Sequence, residues 1–131
     1  MAKKDLEKRI FLIGPVRNVS KEEKKFIDDY VLKKEREGYK VHYPPRDTNQ
    51  DDPVGLNICL QNKEAIITSH EVHIYWNPKS EDSLFDFGMT FMAGRPIYLF
   101  NRDSITATSY KSFTNMLLKL HEKYMMDEGY K

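Results

Sequence analysis

The sequence contains one cysteine, Cys59, and no long apolar run. A single thiol excludes an internal disulfide and any metal site built from several cysteines. The apolar, helical context of Cys59 in LNICLQN favours a buried structural thiol over a nucleophile. The longest apolar runs, such as residues 10–13, are far shorter than the roughly 20 residues of a membrane-spanning helix, so no such helix is predicted.

Charge of neither sign predominates, since the sequence has 21 Lys and Arg residues and 20 Asp and Glu residues. A nucleic-acid-binding protein usually has a basic excess or a basic face, and we therefore expect no nucleic-acid partner. The basic residues 1–8 are expected to form a flexible, solvated tail. They are followed by an apolar run too short for a secretory signal, and we expect a cytoplasmic protein that does not bind membranes.

Nucleotide-binding glycine loops are also missing. The sequence has no Walker-type loop and no GxGxxG pattern, so neither an ATPase nor a dinucleotide-dependent enzyme is predicted, and no cofactor is expected. The best metal-site candidates are His70, Glu71 and His73, but the two histidines would point to opposite faces of a strand. No metal site is predicted.

Short strands and amphipathic helices alternate along the chain. The patterns predict strands over residues 9–14, 39–43, 71–76 and 96–100, helices over 21–37, 56–68, 83–93 and 110–126, and a weakly indicated fifth strand over 105–108. A chain of 131 residues forms one domain. We expect residues 1–131 to form a single doubly wound α/β domain, with a parallel sheet of four or five strands and helices on both faces.

Ligands of an open parallel sheet bind beyond the carboxyl ends of its strands. That rule selects the loops at residues 14–19, 44–53, 77–83 and 101–104. The third loop leads into a helix, whose free N–H groups and dipole favour an anion. Asp86 lies one turn into this helix and is predicted to face the cleft, where Gly88 leaves room. The alternative is that Asp82 and Asp86 only stabilise the start of the helix.

The same segment resembles a known family. The residues that match the sequence pattern of that family, in order, are Ser80, Asp86, Gly88, Ala93, Gly94, Arg95 and Pro96. These positions are similar to those of the nucleoside 2-deoxyribosyltransferase family, which includes the 2'-deoxynucleoside 5'-monophosphate N-glycosidases. FLIGPVR at residues 11–17 and NKEAIITSHEVHIYW at 62–76 also resemble family segments. The resemblance implies a flavodoxin-like fold, no cofactor and a homodimer or larger homo-oligomer whose neighbouring subunits complete each site.

The resemblance also implies roles for individual residues. Asp86 would attack the anomeric carbon of a nucleoside or nucleoside 5'-monophosphate and form a covalent glycosyl-enzyme, which water or a second base resolves. Arg17 and Ser80 would contact phosphate or sugar. Independently of the resemblance, the place of Trp76 at the end of the third predicted strand is consistent with stacking on a base and equally with packing in the core. The expected substrate-binding residues are Phe11, Gly14, Pro15, Arg17, Tyr43, Arg46, Trp76, Ser80, Asp82, Ser83 and Gly88.

Two positions depart from the family pattern and leave alternatives open. Asp86 replaces a glutamate and is one methylene shorter, while Phe11 replaces a tyrosine that often supplies a hydroxyl group. Pro15 resembles the transferases, whereas Arg17 and Ser80 resemble the hydrolases. The sequence therefore predicts an enzyme that transfers or hydrolyses an N-glycosidic bond. The alternatives are a catalytically degenerate nucleotide-binding sensor or interaction module, and a partner-binding domain without nucleotide.

Overall fold

The computed structural model describes residues 7–128, so residues 1–6 of the predicted tail lie outside the described residues. The described residues form four strands, five α-helices and a short 3₁₀ helix at Arg102–Ser104. The strands and α-helices are β1 (Arg9–Ile13), α1 (Lys21–Arg36), β2 (Lys40–His42), α2 (Pro44–Asp47), α3 (Leu56–Ile67), β3 (Glu71–Ile74), α4 (Glu81–Ala93), β4 (Ile97–Leu99) and α5 (Phe113–Asp127). None of the helices in residues 7–128 combines the length and the apolar composition of a membrane span.

The strands form one parallel sheet in the order β2-β1-β3-β4. Phe11 on β1 pairs with His42 on β2 and with Val72 on β3. From β1 the chain first adds a strand on one side and then on the other, which opens a crevice at the carboxyl ends of β1 and β3. The predicted flavodoxin-like α/β fold is confirmed, with four strands.

Each face of the sheet has its own apolar core. The side chains of β1 alternate between the faces, and all of its residues after Arg9 are buried. One core contains Phe11, Ile13, Val72 and Ile74 together with Ile66 of α3, Phe87 of α4 and Leu117 of α5, and the other contains Ile10, Leu12 and Val41 with Ile27 and Val31 of α1. This two-sided burial explains why β1 is continuously apolar.

Several element boundaries differ from the predicted ones. Helix α4 begins two residues early, at Glu81, because the Ser80 hydroxyl caps it by accepting the Ser83 N–H at 3.2 Å. It ends as predicted at Gly94, which adopts a left-handed conformation with φ 68°. Helix α5 begins at Phe113 rather than residue 110, because Ser112 is its N-cap.

The loop predicted over residues 44–53 contains the short helix α2. Pro44 occupies its first turn, where a fixed φ suits a helix. The Asp47 carboxylate accepts the Tyr43 N–H at 2.8 Å and stabilises the turn. At the other end of the chain, residues 105–108 form no strand in the described structure, so the weakly indicated fifth strand is not formed there.

Candidate active site

A cleft of about 860 Å³ opens at the carboxyl edge of the sheet, beside the end of β1 and between α3 and the first turns of α4. The loop after β1, the segment between α2 and α3, one face of α3 and the first turns of α4 surround it. The lining residues are Gly14, Val16, Arg17, Pro44, Gln50, Asp52, Pro53, Val54, Gly55, Leu56, Ile58, Cys59, Asn62, Glu81, Asp82, Phe85 and Asp86. Of the four predicted loop regions, those at residues 14–19, 44–53 and 77–83 contribute lining residues and that at 101–104 does not. Those of the third region, Glu81 and Asp82, belong to the first turn of α4.

Asp86 is the most deeply buried carboxyl group of the cleft, with 8% of the residue exposed. The pKa of Asp86 is raised to about 7, chiefly by burial and also by the negative charge of Asp82, while a hydrogen bond from Asn62 acts in the opposite direction and lowers it. At neutral pH the side chain is therefore divided between its protonated and ionised forms. A carboxyl group in this condition can act as a nucleophile and can also exchange a proton.

Asn62 connects Asp86 to polar side chains behind the cleft. The Thr48 hydroxyl donates a hydrogen bond to Asn62 Oδ1 at 2.8 Å, and His42 Nε2 lies 2.8 Å from the same hydroxyl oxygen. The ring of Phe11 stacks on the His42 imidazole at 5.4 Å, with 14° between the planes. Asp86 thus has a hydrogen-bonded support that extends across α3 to β2.

Arg17 and Asp82 form an ion pair at the mouth of the cleft. The guanidinium donates to the two carboxylate oxygens at 2.9 and 3.3 Å. Among the described residues that line the cleft, Arg17 is the only cation, and the acidic residues are Asp52, Glu81, Asp82 and Asp86. The cleft therefore carries an excess of negative charge.

Three predicted contact residues are placed elsewhere by the structure. Phe11 is fully buried, and its ring packs on His42. Pro15 is buried beside the cleft and does not line it. Trp76 donates its indole N–H to Thr114 Oγ1 at 2.9 Å and packs edge-to-face on Phe87 in the core. The core position of Trp76 resolves the two roles that the sequence left open.

Tyr43 and Arg46 also face away from the cleft. Tyr43 donates its hydroxyl to Asp28 on α1 at 2.8 Å. Arg46 is held by Glu35 at 2.9 Å and by Asp47 at 2.8 Å. Both predicted residues stabilise the edge of the sheet at β2 and have no substrate-facing position in this structure.

The predicted site residues around the start of α4 lie in three places: the cleft, the helix cap and the outer side of the helix. Asp82 and Asp86 line the cleft, as predicted. Ser80 and Ser83 are used in the helix cap, with Ser80 Oγ donating to Ser83 Oγ at 3.0 Å. Gly88 borders a different, apolar groove on the outer side of α4, so it leaves no space beside Asp86.

The sequence interpretation missed several residues of the site, of which Asn62 is the most informative. Asn62 follows Cys59 by three positions and precedes Ile66 by four, which places an amide on the buried face of α3. A buried amide at such a position requires partners, and that requirement was the available signal. Cys59 is only partly buried and lines the cleft, so the predicted burial of its thiol was wrong.

The histidines considered as metal ligands have other partners. His70 accepts the Arg9 N–H at 2.9 Å. His73 is buried between Tyr30, at 2.6 Å, and Glu71, at 2.7 Å. Over residues 7–128, no three His, Cys, Asp or Glu side chains lie together in a way that could hold a metal ion.

An apolar groove of about 780 Å³ lies along the outer side of α4, next to the cleft. Its lining includes Leu84, Phe85, Phe91, Met92, Phe113 and Met116. Met92 is 88% exposed and Phe91 is 57% exposed. Phe85 lines both the groove and the cleft, so the apolar surface continues to the site.

Comparison with known proteins gives matches in structure alone. No protein-family model and no curated protein matches the sequence. A 2-deoxyribosyltransferase from Bacillus psychrosaccharolyticus is similar with a TM-score of 0.66 and 16% identity, over 94% of this chain and 92% of that one. A CMP N-glycosidase from Clostridium botulinum is similar with a TM-score of 0.56 and 17% identity, over 92% and 98%.

A conserved protein from Enterococcus faecalis is also similar, with a TM-score of 0.61 and 15% identity over 87% of each chain. At such identities the likeness concerns the fold. The two enzymes represent the transferase and hydrolase branches of the family that the sequence resembles. The chain therefore has the fold shared by a 2-deoxyribosyltransferase and a CMP N-glycosidase.

Proposed function

We propose that the protein cleaves or transfers the N-glycosidic bond of a nucleoside, with Asp86 as the nucleophile. The observation that carries the proposal is a buried carboxyl group with a pKa of about 7 at the crevice of this fold. The fold likeness to a 2-deoxyribosyltransferase and a CMP N-glycosidase supports the reaction class. The sequence pattern around α4 supports the position of the nucleophile.

The reaction has two balanced steps. In the first step a carboxylate oxygen of Asp86 bonds to the anomeric carbon as the bond from carbon to the base nitrogen breaks, and the base leaves with the electron pair and takes up a proton from solvent water. In the second step a water oxygen or a nitrogen of another base attacks the same carbon and loses its proton to solvent water. That attack releases Asp86 as a carboxylate and yields free sugar or a new nucleoside.

Charge in the cleft favours a substrate without a 5'-phosphate. Arg17, the residue expected to bind phosphate, is already paired with Asp82, and Asp52 and Glu81 add further negative charge. Two like charges about 6 Å apart repel by roughly 1–3 kcal/mol at the dielectric of a partly exposed site. A phosphate dianion would meet this repulsion, whereas a neutral nucleoside would not.

We also propose that the protein is a homo-oligomer joined through the outer face of α4. A second copy could cover the apolar groove containing Phe91 and Met92, which is larger and more continuous than isolated exposed side chains. Because Phe85 borders both the groove and the cleft, a subunit docked there would also reach the edge of the site.

The direct test is to incubate the protein with nucleosides and their 5'-monophosphates and to measure released base by chromatography. We expect release from at least one nucleoside and its loss in Asp86→Asn, which keeps the size of the side chain and removes its charge. Glu64→Gln on the exposed side of α3 is the matched control. A second free base added to the reaction distinguishes transfer, which gives a new nucleoside, from hydrolysis.

The same experiment tests the alternative function. Asp86 is one methylene shorter than the glutamate of the family, and this favours a module that binds nucleosides or nucleotides without turnover. Binding detected by a ligand-dependent rise in melting temperature, with no base released across the panel, would exclude the enzyme and support that module. If neither binding nor base release is detected, both the enzyme and the binding module are excluded.

A further inference from the structure

A line of hydrogen bonds runs from Asp86 to side chains outside the cleft. Thr48 donates to Asn62 at 2.8 Å, and His42 lies 2.8 Å from the Thr48 hydroxyl. Thr48 and Asn62 are 3% and 5% exposed, so water has little access to replace either partner. Thr48 does not line the cleft, and any influence it has on Asp86 passes through Asn62.

The chemistry of the groups fixes the direction of the line. A threonine hydroxyl has one hydrogen, and Thr48 donates it to Asn62 Oδ1. Thr48 therefore accepts from His42, whose Nε2 carries the hydrogen. Since Thr48 occupies the carbonyl oxygen of Asn62, the N–H groups of that amide are left to face Asp86. A rotated amide would instead present its oxygen to the carboxylate.

We propose that Thr48 is a positioning residue of this site, whose hydroxyl holds the Asn62 amide with its N–H group toward Asp86 and so favours the ionised carboxylate. The hydrogen bond from Asn62 lowers the pKa of Asp86, in opposition to burial and to the charge of Asp82. Only the use of that carboxylate as a nucleophile rests on the proposed function. The ionisation of Asp86 can be measured without any substrate.

The titratable groups around Asp86 come from four parts of the chain. They are Asp82 and Glu81 on α4, Cys59 on α3, Asp52 in the segment before α3 and Arg17 in the loop after β1. Substitution of Thr48 changes none of them. It also removes the hydrogen-bond partner of His42, but His42 does not line the cleft and is not among the groups that shift the pKa of Asp86. A changed titration of Asp86 in a Thr48 variant would therefore report on the Asn62 amide.

The test compares Thr48→Val, which has nearly the same shape without a hydroxyl, with Thr48→Ser, which keeps it. Carbon-13 NMR of the Asp86 carboxyl group across pH 4–9 gives its titration midpoint. We expect the midpoint to rise by about one pH unit in Thr48→Val, the size expected for a weakened hydrogen bond to a charged group. In Thr48→Ser it should match that of the unmodified protein. The proposal would be overturned if both variants kept the midpoint of the unmodified protein, or if the midpoint rose by the same amount in both.

A second measurement needs no variant of Thr48, in case Thr48→Val does not fold. The side-chain amide resonances of Asn62 in the unmodified protein should titrate with the midpoint of Asp86. An amide that does not respond would overturn the proposal. Where base release occurs, the acid limb of kcat/KM should move up with the NMR midpoint in Thr48→Val and stay in place in Thr48→Ser. Absence of release from every substrate would exclude the proposed function and leave both NMR tests intact.

Discussion

Asp82 lies one helical turn before Asp86 on α4, and its charge raises the pKa of Asp86 beyond the effect of burial. The same carboxylate holds Arg17 at 2.9 Å across the mouth of the cleft. Asp82 thus links the ionisation of the proposed nucleophile to the charge that an incoming substrate meets. Both effects can be separated by substitution.

The pH dependence of turnover should follow the ionisation of Asp86. Because the attacking form is the carboxylate and the pKa of Asp86 is about 7, kcat/KM should rise with pH up to about pH 7 and then level off. Asp82→Asn removes a neighbouring negative charge, so the acid limb should move to lower pH. Glu81→Gln is the control, since it removes an exposed charge from the same turn. An equal displacement in both variants would contradict the assigned role of Asp82.

Asp86 should lower the stability of the protein at neutral and alkaline pH. Its pKa is about 7 in the folded protein, against an ordinary value of 3.8. Between these values the folded state holds a proton that the unfolded state has released, so stability falls as pH rises from about 4 to about 7. The displacement corresponds to a loss on the order of 4 kcal/mol at most.

Asp86→Asn removes this loss. Urea denaturation should show the variant to be more stable than the unmodified protein by on the order of 2–4 kcal/mol at pH 8, with the difference nearly absent at pH 4.5. Asp103→Asn, at an exposed acidic position, is the control and should change little at either pH. A stability difference that does not depend on pH would show that Asp86 is not held in a protonation-sensitive site.

Cys59 offers a chemical probe of the cleft, because it is the only cysteine of the chain and lines the site. Partial burial and the negative charges of Asp86 and Asp82 raise the pKa of its thiol, so alkylation at pH 8 should be slow. We expect a bound nucleoside to slow it several-fold further and Asp86→Asn to accelerate it. Cys59→Ser should take no label. Alkylation at an unchanged rate with saturating nucleoside would mean that the ligand binds elsewhere.

The sequence predicted those features that depend on local patterns. The strand at Arg9–Ile13 was evident because its residues are buried on both sides of the sheet, and Gly94 was evident as a helix end because its backbone is left-handed. Asp86 was found through its place one turn into the helix after β3 and through the resemblance of residues 80–97 to a family pattern. These signals are contained within a few consecutive residues.

Other features depend on pairs of residues that are distant along the chain. Trp76 was an equally good candidate for base stacking until its hydrogen bond to Thr114 placed it in the core. Arg46 was an expected substrate-binding residue, but Glu35 on α1 holds it. The role of Asn62 required knowledge that Thr48 lies against it. A pattern in the sequence specifies no such partner.

Selection against a 5'-phosphate should depend on Asp82. Asp82→Asn removes a negative charge and frees Arg17 to bind an anion, so the ratio of kcat/KM for a nucleoside to that for its monophosphate should fall by roughly tenfold. Arg17→Gln removes the cation and should raise the ratio. Added salt should lower this ratio in the unmodified protein, because the charges are partly exposed and salt screens their repulsion of the monophosphate. A protein that prefers the monophosphate would contradict this account.

The outer face of α4 should determine the oligomeric state. Phe91 is 57% exposed in the apolar groove, and Phe91→Glu would place a charge in the proposed contact. Burying that charge without a partner is costly, so sedimentation should show a shift toward monomer. Leu32→Glu is the matched control, because Leu32 is 47% exposed on α1 and does not line the groove. If Phe91→Glu sediments like the control and the unmodified protein, the subunits do not meet through this groove. If the variant is a monomer that also loses base release while Asp86 keeps its titration midpoint, the neighbouring subunit contributes to the site.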